Sequence, residues 1–218
     1  MPFSLSNPNR TIHAGVILMA GHTEILDVAP IDLLNGMSED FVKALPLPED
    51  LKKQALDISF RWVNEHGDNA LLTSGITMKA TDSFATCPPL DIVLMGAADF
   101  NHTPNEAELA FVRKTYEQSS AFLCICGGMF PPLQAGLLKG KTATAPRSLI
   151  PKFSHDHSET EWVERRWARD GKLWISGALL DGLDLMQAFV SEMWGGEGSL
   201  VGPLLEIGGW PVRDVVYE

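Results

Sequence analysis

Cys126 stands at the end of a short apolar run, Ala121 to Ile125 (AFLCI), with Gly127 and Gly128 directly behind it. The run reads as a buried strand, and the segment beyond it reads as helix. A nucleophile on such a strand-to-helix turn is held in a tight, strained conformation that exposes its side chain. The small residues after it permit the turn and let a substrate approach the backbone. A helix start would aim N–H groups at the sulfur, and that is expected to lower the thiol from about 8.5 into the roughly 3.5–7.5 range. The Gly127 N–H would then serve a developing oxyanion. Buried, inert cysteines are the commoner case, and the other two cysteines of the chain fit it. Cys87 lies in a Cys87-Pro88-Pro89 connector. Cys124 lies inside the strand and, by alternation, on the same side as Cys126. Cys124-x-Cys126 is not a CxxC pair and, with only Cys87 added, lacks zinc-site spacing, so no metal is expected.

The elements that must position this thiol alternate in type. Ala14 to Met19 (AGVILM), Asp91 to Met95 (DIVLM) and Ala121 to Ile125 are continuous apolar runs of the kind found in buried parallel strands. Each stops at a Gly-containing turn: Gly21, Gly96-Ala97, and Cys126-Gly127-Gly128. Ile58 to Val63 and Ile76 to Phe84 also read as strands. Residues 28–37 suggest a helix with Pro30 in its first turn. Thr103-Pro104-Asn105-Glu106 has capping-box spacing with Pro at the first helical position, which predicts a helix over 104–118 with Leu109, Val112 and Tyr116 facing inward. Further helices are expected over 133–138 and 182–194. Asp170-Gly171 between two β-like runs predicts a type I′ hairpin, and the tail from Gly195 on reads as irregular. Strands alternating with helices argue an α/β fold with a mostly parallel sheet. On such sheets ligands bind at the carboxyl ends of the strands, where the three Gly-containing turns would meet.

Composition narrows the classes. The chain has 218 residues with 17 Lys+Arg against 28 Asp+Glu, a net charge of −11. That balance argues against nucleic-acid binding, which needs a basic face. The 45% apolar content with 21% charged residues is that of a folded globular chain. One domain over 1–218 is expected, needing no metal or disulfide to fold. No apolar run is long enough for a membrane span. The N-terminus lacks signal-peptide order, and three cysteines do not make a disulfide framework. A cytoplasmic setting is the expectation.

The stretch AFLCICGGMFPPLQAGLLKGKTATA resembles the elbow block of the DJ-1/PfpI superfamily, in which a strand ends in Cys and a helix closes with AGLL-x-G-x-x-AT. GVILMAGHTEILDVAPIDLL resembles that family's first strand and acid-bearing turn. DIVLMGAADF resembles its strand ending in PGG, and DGKLWISGALLDGLDLMQAFV resembles its late strand-and-helix block. The resemblance runs from about residue 13 to residue 194, leaving 195–218 as tail, and is nearest the isonitrile-hydratase-like branch of fungal type.

The resemblance implies a flavodoxin-like three-layer α/β sandwich with a cysteine nucleophile elbow, a homodimer, and no cofactor. It implies an acid beside Cys126: Asp27 by the LDVAP match, or Glu24, since ungapped counting places Asp27 one residue late. Asp27 also has a plainer reading as a helix N-cap. The resemblance implies oxyanion donors from the Gly96-Ala97 turn, here Ala97, and from Gly127. The histidine that other branches carry after the AT pair is replaced by Ala145-Pro146. Among the six histidines, His22, beside the first-strand turn, is best placed to face the site. His155 and His157 read as solvated loop, and His13, His66 and His102 as surface. Phe130, Met129 and Phe100 are candidates for the pocket rim. A Cys–acid pair without histidine suits hydration better than peptide cleavage, so the expected partner is a small molecule with an electrophilic carbon, an isonitrile or a reactive carbonyl. Alternatives are glyoxalase-type or lyase/isomerase chemistry, or a non-catalytic ligand-binding or redox-sensing protein.

Overall fold

The computed structural model describes residues 3–99 and 102–217. Seven strands form the main sheet: β1 (Ile12–Ile17), β2 (Ile58–Asn64), β3 (Asp82–Ser83), β4 (Ile92–Met95), β5 (Ala121–Cys124), β6 (Trp167–Asp170) and β7 (Leu173–Ser176), in the order β6-β7-β5-β4-β1-β2-β3. Every neighbouring pair is parallel except β6 with β7. The helices used below are α1 (Ile25–Val28), α2 (Ile31–Gly36), α3 (Glu106–Gln118), α4 (Phe130–Gln134), α5 (Asp181–Trp194) and α6 (Val201–Gly208).

The apolar runs are continuous because both sheet faces are covered. Val16, Leu94, Leu123 and Trp174 point to one face, where α2, α5 and α6 bring Leu34, Met186, Phe189 and Val201. Ile17, Val93, Phe122 and Ile175 point to the other, where α3 brings Phe111 and Val112. This is the expected three-layer α/β sandwich. Ile17 of β1 pairs with Met95 of β4, and Met95 with Cys124 of β5. The carboxyl ends of these three adjacent strands therefore form one rim, as their Gly-containing turns imply.

Several local expectations are revised. Residues 28–37 break into α1 and α2, with Pro30 at the cap of the second. The run 76–84 splits between β3 and a strand Thr77–Lys79 that belongs to a separate small sheet. The cap of α3 is Asn105 rather than Thr103. The Asn105 side chain accepts the Glu108 N–H at 2.9 Å while Glu108 Oε2 accepts the Asn105 N–H at 2.8 Å, so the box lies two residues further on. Its most buried apolar residues are Phe111 and Val112, and Leu109 and Tyr116 are half-buried. The helix expected over 133–138 instead spans Phe130–Gln134: Pro131 and Pro132 fit its first turn, Ala135 caps it, and 135–138 form turn rather than helix. In the β6–β7 hairpin Asp170 pairs with Leu173, so the loop is Gly171-Lys172. Only Gly171 has positive φ, whereas a type I′ turn needs two such residues.

The tail is not irregular. It forms α6, buries Val201 and Leu204, and returns along the sheet edge. There the Tyr217 hydroxyl donates to Asp181 at 2.5 Å, and Arg213 pairs with Asp184. Among the described residues, no helix is long and apolar enough to cross a membrane.

Candidate active site

The acid-bearing turn follows β1 and is pinned to the end of β4. The Glu24 N–H donates to Ala97 O at 3.0 Å, and the Ile25 N–H donates to the Thr73 hydroxyl at 3.1 Å. Asp27 lies inside α1, and Glu24 occupies the cap position without a side-chain cap bond. The N-cap reading of Asp27 is therefore dropped. Its carboxylate is fully buried: Oδ2 accepts the Ala97 N–H at 2.7 Å, and Oδ1 has no hydrogen-bond partner among the described residues. Gly96 has a steric part here, because a Cβ at Gly96 would sit 2.8 Å from Asp27 Cβ.

Cys126 has φ +53°, a left-handed backbone that side chains avoid. Ser74 is the other non-glycine residue with positive φ among the described residues. The strain is held by the contacts of the turn's backbone. The Cys126 N–H donates to Ser176 Oγ at 3.3 Å. A Cβ at Gly128 would lie 2.7 Å from the Met95 carbonyl carbon, so only glycine lets the turn close over β4. The sharp turn also breaks strand alternation: Cys124 packs into the α3 layer while Cys126 packs against the opposite core. The two thiols thus do not share a side. Cys124 is sealed and its thiol is pushed well above the ordinary range by burial.

Glu24, Asp27 and Cys126 each place one donor atom within 4.8 Å of the others. The sequence left Asp27 and Glu24 as alternatives, and the fold brings both to the thiol. Such a group has enough donors to ligate a cation, which cysteine spacing alone does not reveal. Burial, with help from the Glu24 charge and against the Ala97 N–H, pushes Asp27 up to about 7. Burial and the Asp27 charge push the Cys126 thiol up to about 11, outweighing the Gly127 and Leu179 N–H groups that bond to the sulfur. The expected depressed thiol is therefore overturned. The turn after Cys126 is a 3₁₀ turn leading into a five-residue helix, a weak dipole set against desolvation and two carboxyls. The pair can pass one proton: the thiol holds it at rest, and the carboxylate is the base that can take it.

The sulfur opens into a cavity of about 420 Å³ whose lining includes His22, Glu24, Thr73, Asp99, Phe130 and Leu149. Of the expected rim, Phe130 is there, Met129 is wholly buried in the core, and Phe100 lies outside the described residues. His22 lies in the lining of this cavity. His66 and His155 are exposed, whereas His157 is partly buried. His13 and His102 are also not surface residues: His13 sits half-buried in β1, and His102 bonds the buried Glu108 at 3.0 Å. Ala97 does not offer a free oxyanion donor, since its N–H is committed to Asp27. Gly127 keeps its N–H beside the sulfur, joined by Leu179, which no motif pointed to. Asp99 and Thr73 were also hidden in the sequence. Asp99 follows the second Gly-containing turn, Gly96-Ala97, and Thr73 belongs to an excursion far from the motif blocks.

A family model described as the DJ-1/PfpI family matches residues 47–192, more than half of the chain. The chain belongs to the DJ-1/PfpI family. The match begins after the acid-bearing turn, so the placement of Glu24 and Asp27 rests on the structure. A curated relative, isonitrile hydratase from Pseudomonas putida, is 30% identical over 128 residues, which is 56% of this chain and 54% of the relative. The chain thus spans about half the length of that relative. Solved structures agree in fold. A cysteine-to-alanine mutant of a DJ-1 superfamily protein from Salmonella typhimurium gives a TM-score of 0.70 at 17% identity, covering 92% of this chain and 100% of that one. Schizosaccharomyces pombe DJ-1 gives 0.67 at 11% identity, covering 92% and 100%. A Pseudomonas putida structure described as an AraC family transcriptional regulator gives 0.68 at 16% identity, covering 90% and 98%.

Proposed function

We propose that this DJ-1/PfpI chain is a cofactor-free hydratase that adds water to a small, neutral isonitrile. The reading is carried by the strained Cys126 beside a buried carboxylate that has one oxygen unpartnered and a proton affinity near neutrality. The thiol proton passes to Asp27. The thiolate bonds to the terminal isonitrile carbon, and the same proton goes from Asp27 to that carbon. The product is a thioimidate, Cys126–S–CH=N–R, with Asp27 again ionised. Water then adds across C=N, and collapse releases the formamide and the thiol.

The cavity chemistry supports an uncharged substrate. Glu24, Asp99 and His22 line it with apolar Phe130, Pro146 and Leu149, and no Lys or Arg is among its described lining. A carboxylate-bearing glyoxal would meet acidic groups there with no counter-charge. The raised thiol also weighs against the redox-sensor alternative, because sensor thiols have low pKa. The similarity to isonitrile hydratase supports the reaction class. The test is to incubate the protein with a panel of alkyl and aryl isonitriles and follow formamide by NMR. Formation by the unmodified chain and none by Cys126→Ser is expected. No formamide from any member of the panel would refute the reading.

A further inference from the structure

His22 is fixed at the mouth of the Cys126 cavity more firmly than an exposed residue needs to be. Its main chain pairs with Leu71 in the small sheet, and its N–H donates to Asp99 Oδ2 at 3.0 Å. The same carboxylate oxygen lies 3.1 Å from the ring Nδ1. A carboxylate only accepts, so Nδ1 carries the hydrogen, and in the neutral ring that tautomer makes Nε2 the acceptor. Hydrogen bonding to His22 holds Asp99 below the usual carboxylate range, so it stays ionised at neutral pH. Two residues earlier the turn is anchored again, where the Ala20 N–H donates to the buried Glu108 Oε1 at 2.8 Å. Two carboxylates, Asp99 at the ring and Glu108 at Ala20, thus fix the turn that carries the imidazole. The ring and Cys126 line the same cavity.

The elbow chemistry leaves a task for it. Asp27 serves the sulfur and the first proton transfer from a sealed position. Water must still attack the thioimidate from the open side, and one group there must accept and return a proton. We propose that His22, oriented by Asp99, is the catalytic base and proton shuttle that hydrates the Cys126-bound intermediate. The water oxygen bonds to the thioimidate carbon as one water proton passes to Nε2. The C=N electron pair takes that proton back on nitrogen, giving Cys126–S–CH(OH)–NH–R. Nε2 then takes the hydroxyl proton, C=O forms, the C–S bond breaks, and the imidazolium returns the proton to sulfur. Asp99 stays ionised throughout.

This rests on the hydratase reading, and the experiment separates the two. His22→Gln, His22→Ala and Asp99→Asn are compared with the unmodified protein by rapid-quench mass spectrometry during isonitrile turnover. Both His22 variants should form the Cys126 adduct at the normal rate but hydrolyse it about 100-fold more slowly, so that it accumulates. Asp99→Asn should show a smaller accumulation, and added imidazole should restore turnover to His22→Ala. Normal turnover in both His22 variants would overturn the inference, as would loss of adduct formation itself. No formamide from the unmodified protein would instead refute the hydratase reading and this inference with it.

Discussion

Asp27→Asn should make the protein more stable and nearly inactive. The Asp27 carboxylate is fully buried, and it moves from an ordinary 3.8 to about 7. Because the folded value is raised, the native state favours the protonated acid. The stability this gives is fully present below the unfolded value and is lost as pH rises through the folded one. Integrating that linkage, the ionised carboxylate costs about 0.5 kcal/mol at pH 4, about 1.7 kcal/mol at pH 5 and about 4 kcal/mol at pH 8. Asparagine removes the charge, keeps an oxygen for the Ala97 N–H, and puts an NH₂ where Oδ1 has no partner, next to Glu24. Its stability advantage should therefore grow with pH to at most about 4 kcal/mol at pH 8. Urea unfolding of both proteins at pH 4, 5 and 8 measures it, with midpoints compared at equal slope. Turnover should fall by roughly 100- to 10,000-fold. An advantage that is absent at pH 8, or equal at all three pH values, would refute the claim that a desolvated carboxylate stands at this elbow.

In the unmodified protein kcat/KM should climb as pH rises through about 7, because Asp27 must be ionised to take the thiol proton; a profile flat from pH 5 to 8 would exclude Asp27 as the base. Cys126→Ser should lose turnover and keep the native circular dichroism spectrum, while a Cys126 variant with normal activity would exclude covalent catalysis. Iodoacetamide should label Cys126 in the native state and leave Cys124 untouched until urea is added, as read by peptide mass mapping, since Cys124 is sealed and Cys126 lines a cavity. Gly128→Val should drive its side chain into the Met95 carbonyl and lower stability by about 3 kcal/mol or more; a melting temperature within 2 °C of the parent would show that the elbow is not so tightly closed.

The sheet was legible because three buried parallel strands leave unbroken apolar runs, and Gly-containing turns mark where they end. Cys126 was legible for the same reason. Boundaries were less so: Thr103 and Asn105 are both capping residues with a Glu three positions on, and only packing selects Asn105, whose Glu108 can be buried. The tail misled because its glycines read as breaks, whereas α6 is stabilised by burying Val201 and Leu204 against α5 and the sheet, a tertiary effect with no local signature. The thiol misled most. Sequence shows a turn before a helix, which argues for a stabilised thiolate, but it does not show that α4 is one short turn or that two carboxyls lie within 4.8 Å of the sulfur.

That reversal also explains why the site carries two kinds of acid–base group. A thiol pushed up by burial and by Asp27 is a poor nucleophile until its proton leaves, but the thiolate once formed is correspondingly basic and reactive. The buried Asp27 is well suited to receive that proton and to hand it to a carbon bonded at sulfur, because the sealed side of the elbow keeps water from intervening. The same seal makes Asp27 unsuited to deliver water. The proposed hydration therefore calls for a second group on the open face, where Glu24 and the His22–Asp99 pair line the cavity. A carboxylate only accepts, whereas an imidazole with Nδ1 held on Asp99 has a second ring nitrogen that can both accept and return a proton. In the proposed reaction the division of labour follows from burial: the sealed acid would serve the sulfur, and the open imidazole would serve the water.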